Sequence, residues 1–191
     1  MTENNHHDSA ALDKLTEPFT VLPNDNPASD AKRQELIDRV WPKDVLVLDR
    51  NTDQRVSNGN DTAIAIASVS KLFIADDLLL QEAKGQIELT AADRQSLDTM
   101  LRSSDDSAAE IFWNRSGGNS VVTRVAARYG LTSTSVPYDG KWWNTMSTTT
   151  DLVRYYDKLL NGSGGLPPER ASIILANLAA STPTGADGYP Q

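Results

Sequence analysis

Residues 63–80 read AIAIASVSKLFIADDLLL. A strand-like run of small and branched apolar residues, Ala63 to Ala67, leads into Ser68. Beyond it Leu72, Phe73, Ala75, Leu78, Leu79 and Leu80 cover too much of a helix surface to belong to one face, so this stretch predicts a fully buried helix. Gly85 marks its end. Ser68 stands at the join, where a serine has two readings. It is either a cap for the first helical N–H groups or a nucleophile held at a helix N-terminus.

Lys71 bears on the choice. A serine hydroxyl is a poor nucleophile until a base takes its proton, and a lysine one turn on can be that base if burial keeps its amine neutral part of the time. Positions i and i+3 share a helix face, and the N-terminal N–H groups and dipole favour developing negative charge. The same SxxK spacing recurs at Ser29 and Lys32, but there it opens a polar surface helix and a capping serine is the better account. A second cluster, Arg102-Ser103-Ser104-Asp105-Asp106-Ser107, bunches hydroxyls and carboxylates between two helices. Its local reading is a helix N-cap before Ala108, Ala109 and Glu110.

Outward from these clusters, residues 1–28 read as an extended lead-in broken by Pro18, Pro23 and Pro27, and residues 29–191 as a single domain. A first amphipathic helix is predicted over Ala31 to Trp41. A hairpin follows, formed by Val45 to Leu48 and Gln54 to Asn58 around a polar turn. Thr90 with Asp93 resembles a capping box for a helix reaching Leu101. Further helices are predicted over Ser107 to Trp113, Val121 to Tyr129, Thr150 to Leu160 and Pro168 to Leu178. Between them Leu131 to Ser147 lacks periodicity and reads as a long loop. Trp142 and Trp143 in that loop read as pins against the helices, with a substrate platform as the alternative.

The composition is 39% hydrophobic and 23% charged with a net charge of −8, which suits a globular domain and repels a phosphate backbone, so nucleic-acid binding is excluded. Cysteine is absent, which removes disulfides, thiolate metal sites and cysteine nucleophiles. No glycine-rich phosphate loop follows a strand and no His, Asp or Glu cluster has metal spacing, so neither cofactor nor metal is expected. No apolar run is long enough for a membrane span or an evident export signal.

Taken together, the two clusters resemble the serine beta-lactamase and penicillin-binding protein superfamily, class A beta-lactamases in particular. Members carry SxxK at the start of a buried helix and a later SxN turn, usually Ser-Asp-Asn followed by Thr-Ala-Ala. This chain has Ser104-Asp105-Asp106-Ser107-Ala108-Ala109, with Met100 and Leu101 before it. The resemblance spans roughly residues 29 to 180. It implies an α+β fold, mostly helical here with a partial antiparallel sheet. It further implies Ser68 as the acylated nucleophile, Lys71 as its base, Ser104 as the proton relay and Asp106 at a substrate-binding position. The implied substrate is a small molecule or peptide, such as a beta-lactam, a D-Ala peptide or an ester, and the implied location is exported.

Several departures qualify the likeness. Asp106 replaces an Asn, and an acid there attracts the lysine ammonium and would weaken Lys71 as a base. The loop from Leu131 to Ser147 corresponds to the family's omega loop yet has no Glu to activate the deacylating water, Asp139 being its only carboxylate. The Lys-Thr-Gly triad is missing, Thr184-Gly185 following Pro183 as a loop coincidence. The sequence therefore predicts a chain that stops before the family's last strands, with a sheet edge left for oligomerisation to cover. Slow deacylation is one expectation. A non-catalytic relative that keeps Ser68 and Lys71 as remnants is the other.

Overall fold

The computed structural model describes residues 44–190. They fall in one unit, Asp44–Gln191. The expected lead-in, the helix from Ala31 to Trp41 and the second SxxK at Ser29 and Lys32 lie outside the described residues.

Strands β1 (Leu46–Asp49) and β2 (Gln54–Ser57) pair antiparallel, with Leu46 opposite Ser57 and Asp49 opposite Gln54. The Asp49 carboxylate closes their turn by accepting from the Asn51 N–H at 2.8 Å and the Thr52 hydroxyl at 2.7 Å. This is the hairpin around a polar turn that the sequence predicts. Val47 and Val56 remain exposed on it. Two-residue strands β3 (Ile64–Ala65) and β4 (Met146–Ser147) form a second antiparallel ribbon. The end of the predicted long loop is thus tied to the run before Ser68.

A 3₁₀ turn at Ala67–Val69 feeds helix α1 (Ser70–Ala83), in which every residue from Ser70 to Leu79 is buried. Five further helices follow: α2 (Ala91–Arg102), α3 (Asp106–Arg115), α4 (Ser120–Tyr129), α5 (Thr149–Asn161) and α6 (Pro168–Ala179). Helices α2, α3, α4 and α6 all pack on α1. The Thr90–Asp93 capping box that starts α2 is complete in both directions. The fold is α+β. Among the described residues no helix is long and apolar enough to cross a membrane.

Helix α1 is apolar enough to be a core and still carries Asp76 and Asp77, both buried. A buried carboxylate persists only where charge and hydrogen bonds compensate it. Asp77 receives two bonds from Arg124, at 2.8 and 2.7 Å. Asp76 pairs with Arg128 and accepts from the hydroxyls of Tyr129 at 2.5 Å and Tyr155 at 3.3 Å. Burial pushes its carboxyl above the ordinary range against the pull of Arg128 and Tyr129. Arg124 and Arg128 lie one turn apart on α4, so the two pairs fix its register on α1. Gly164 completes the packing, since a Cβ there would come within 2.1 Å of the Tyr129 ring.

Replacing Asp76 by Ala leaves Arg128 without its charge partner and should cost about 3–5 kcal/mol. Tyr129→Phe, which removes one hydroxyl, should cost about 1–2 kcal/mol. Urea denaturation of both variants beside the parent checks the order. Equal losses would show that Asp76 is not the centre of the cluster.

Candidate active site

The site is assembled from three segments. The 3₁₀ turn before α1 presents Ser68, which is exposed, while α1 carries Lys71 inward, its side chain only 3% exposed. The turn between α2 and α3 meets it from the other side. There Asp105 caps α3 by accepting from the Ala108 N–H at 2.8 Å, which is the local role the sequence predicts. The residues on either side of the cap turn to Lys71 instead.

The Lys71 ammonium lies 2.7 Å from the Ser104 carbonyl, 2.7 Å from the Ser104 hydroxyl, 2.6 Å from Asp106 Oδ1 and 3.2 Å from the Ser68 hydroxyl. Three of the residues singled out in the sequence, Ser68, Ser104 and Asp106, therefore converge on the nitrogen of the fourth, Lys71. An ammonium has three N–H donors for these four oxygens. The surplus falls on the longest contact, to Ser68. If the amine is neutral, the same contact reverses and the Ser68 hydroxyl donates to the nitrogen lone pair, which is the geometry of a base facing its nucleophile.

The backbone at the site is held in unfavourable conformations. Among the described residues three that are not glycine have positive φ, namely Asp53 at 55°, Ala67 at 45° and Ser104 at 53°. The first belongs to the hairpin turn. Ala67 immediately precedes Ser68 and Ser104 bears a hydroxyl that faces Lys71, and an L-residue in that region costs on the order of 1–2 kcal/mol. Such strain persists where the surroundings over-determine it. Ser104 is held by its two bonds to Lys71, and Ala67 by its carbonyl, which accepts from the Ser70 hydroxyl at 2.7 Å.

Trp142 is a member of the site that the sequence reading set aside. Its buried ring lies 4.8 Å from Lys71 Nζ, and it meets Trp143 edge-on at 5.1 Å. The pinning role assigned to the pair belongs equally to Trp113, whose indole donates to the Gly140 carbonyl at 2.9 Å. At the other end of the loop, buried Asp151 accepts from the Ser133 N–H at 2.7 Å and the Thr134 hydroxyl at 2.9 Å. Asp139 is engaged within the loop, accepting from the Lys141 N–H at 3.1 Å and the Asn144 amide at 2.9 Å. Desolvation raises its carboxyl, but these bonds outweigh it and hold the acid below its ordinary value.

Ser68, Lys71 and Ser104 open onto a cleft of about 390 Å³, walled partly by Leu178 and by Tyr189 near the end of the chain. The segment after α6 is a loop, as the sequence predicts for Thr184-Gly185. It runs beside the site, with the Thr182 N–H donating to the Arg102 carbonyl at 2.8 Å and the Ala186 N–H to the Ser103 carbonyl at 2.5 Å. No periodicity or motif marks that contact in the sequence.

Comparison with known proteins places this arrangement in context. No family model matches the chain. Proteins named "Putative lipoprotein LppW" from Mycobacterium tuberculosis H37Rv and Mycobacterium bovis are 66% identical over 147 residues, covering 77% of this chain and 47% of theirs. The chain thus spans about half the length of the curated relatives it matches. Among solved structures, a beta-lactamase from Chitinophaga pinensis superposes with a TM-score of 0.67 at 15% identity, covering 81% of this chain and 70% of that one. An ancestral class A beta-lactamase gives 0.63 at 19% identity over 80% and 71%. The extended-spectrum beta-lactamase TLA-3 gives 0.68 at 13% over 80% and 70%. At these identities the likeness is one of fold, and the fold is beta-lactamase-like.

The strain at Ala67 is directly measurable. Ala67→Gly should stabilise the protein by about 0.5–1 kcal/mol, the relief of the left-handed conformation less the extra freedom of glycine in the unfolded chain. Thermal and urea melts check the sign. A loss of stability would mean that the turn before Ser68 stores no strain.

Proposed function

We propose that this chain is a serine acyl-transfer protein that forms an acyl-enzyme at Ser68. One observation carries the proposal: a buried lysine nitrogen lies within hydrogen-bond reach of two hydroxyls, Ser68 at 3.2 Å and Ser104 at 2.7 Å, at the mouth of a cleft. Lys71, when neutral, takes the Ser68 proton as Oγ attacks the carbonyl carbon of an amide or ester. The tetrahedral intermediate then expels its nitrogen or oxygen. The proton returns from Lys71 through the Ser104 hydroxyl to that leaving group, and the acyl chain remains on Ser68.

The cleft volume suits a small beta-lactam, a D-Ala peptide or an ester. Release of the acyl group requires an activated water. The loop from 131 to 147 offers only Asp139, already bonded to the Lys141 N–H and Asn144 within its own turn. Deacylation is therefore slow and the adduct accumulates. The lipoprotein names of the relatives support an exported location at the cell envelope.

The short Lys71–Asp106 ion pair favours a second reading, a non-catalytic relative in which the lysine is committed to the carboxylate and the cleft only binds. Intact mass after incubation with a penicillin separates the two. The parent should gain one equivalent of the drug and Ser68→Ala none, and Asp106→Asn should acylate faster by up to about fivefold, the worth of an ion pair to an exposed carboxylate. Well-folded parent protein without an adduct would establish the binding reading instead.

A further inference from the structure

Ser104 sits with φ at 53° in the turn between α2 and α3, and its own bonds to Lys71 hold it from one side. The two residues before it are held from elsewhere. Helix α2 ends at Arg102, so the carbonyls of Arg102 and Ser103 lie where a helix has no N–H left to offer. The segment after α6 supplies both donors. The Thr182 N–H reaches the Arg102 carbonyl at 2.8 Å and the Ala186 N–H the Ser103 carbonyl at 2.5 Å. The Thr182 hydroxyl adds to the same junction. It lies 2.6 Å from the Thr184 carbonyl, 3.1 Å from the Arg102 carbonyl and 3.2 Å from the Ser103 hydroxyl. One small side chain thus joins the tail to the residues that enter the strained turn.

Thr182 is itself placed by α6. The N–H groups of Ala180 and Ser181 still bond back to that helix, to the carbonyls of Ala176 at 3.1 Å and Leu178 at 3.2 Å. Thr182 is the first residue beyond it whose N–H turns to α2. The same helix carries buried Asn177, whose amide oxygen accepts from Arg102 Nε at 2.6 Å and whose amide nitrogen donates to Asp98 at 2.9 Å. Both the side chain and the carbonyl of Arg102 are therefore fixed by α6 and the segment that leaves it. Ser104 follows two residues later.

We infer that Thr182 is a positioning residue for the Ser104 hydroxyl in the return of the proton. The inference rests on acylation at Ser68 and concerns the collapse of its tetrahedral intermediate. There the bond from the carbonyl carbon to the leaving oxygen or nitrogen breaks, and Ser104 gives its hydroxyl proton to that atom. The Lys71 ammonium replaces the proton on Ser104, so the lysine ends neutral and the acyl group stays on Ser68. This relay needs Ser104 Oγ aimed at the leaving atom while it remains beside Lys71. Thr182 touches neither partner and acts through Arg102 and Ser103. A leaving group that is stable as an anion has little need of the relay, whereas an alkoxide depends on it.

The test compares two esters of one acyl group, with para-nitrophenol and with trifluoroethanol as leaving groups. Intact mass over time gives the second-order rate of Ser68 acylation for each. Thr182→Val, which keeps the N–H and the branched shape but loses the hydroxyl, should raise the ratio of the nitrophenyl rate to the trifluoroethyl rate about fivefold, the worth of one hydrogen bond. Thr182→Ser should restore the parent ratio. Ser104→Ala should raise it further, and adding Thr182→Val to Ser104→Ala should leave it where Ser104→Ala alone puts it. An unchanged ratio in Thr182→Val, which is what lost stability alone would give, or a further rise in the double variant, would overturn the role of Thr182 while leaving acylation at Ser68 standing. Failure of both esters to label Ser68 of the parent would overturn the proposed reaction and this role with it.

Discussion

An ammonium leaves water only where oxygens replace its hydration, and Lys71 carries one into the most deeply buried helix among the described residues. Removing a charge as buried as that of Lys71 from water costs several kcal/mol even in a relaxed protein. The replacement oxygens come from Ser104 and Asp106, more than thirty residues along the chain, and from Ser68 one turn back. This requirement explains much of the surrounding geometry. The α2–α3 turn must come to within bonding distance of α1, and Ser104 must adopt a left-handed backbone so that its carbonyl and hydroxyl face the same nitrogen. The strain is local, and the solvation of a buried charge outweighs it.

The same helix shows the converse arrangement one turn and more beyond. Asp76 and Asp77 are anions in the core, and arginines from α4 neutralise them. Helix α1 therefore carries a cation toward the cleft and two anions toward the interior, each matched by a different neighbour. Apolar burial alone would allow α1 to rotate or slide against its partners, because close-packed hydrophobic contacts can be exchanged for others of similar area. Charges at fixed positions cannot be exchanged in that way. This is a physical reason for Lys71 to keep its place beside Ser68, at 3.2 Å.

What could be read in advance follows the same division. Short-range rules were legible: the Thr90–Asp93 capping box, the hairpin turn at Asp49 and the apolar excess of α1 are all local patterns, and the structure contains each of them. So was the meeting of Ser68, Lys71, Ser104 and Asp106, because two motifs with a known relation pointed to it. Contacts between distant segments without such a motif were not. The position of Trp142 over Lys71 depends on how the loop closes, and its local sequence fits a pin as well as a site residue. The tail beside Ser103 is held by backbone hydrogen bonds, which side-chain identity scarcely encodes. Strand β4 is two residues long, below the length at which alternation can be detected.

The long loop links these themes to chemistry. Its two ends are fixed by buried Asp151 and by pairing with β3, and its middle by Trp113. A loop fixed at both ends and the centre presents its side chains with little freedom, so what it lacks matters as much as what it carries. It carries Trp142 against the lysine, and its one carboxylate is directed into its own turn. The proposed acylation draws on Ser68, Lys71 and Ser104, which meet at one nitrogen, whereas the proposed release needs a base that this loop does not supply. The loop therefore gives the proposed acylation an aromatic wall and the proposed release no free carboxylate.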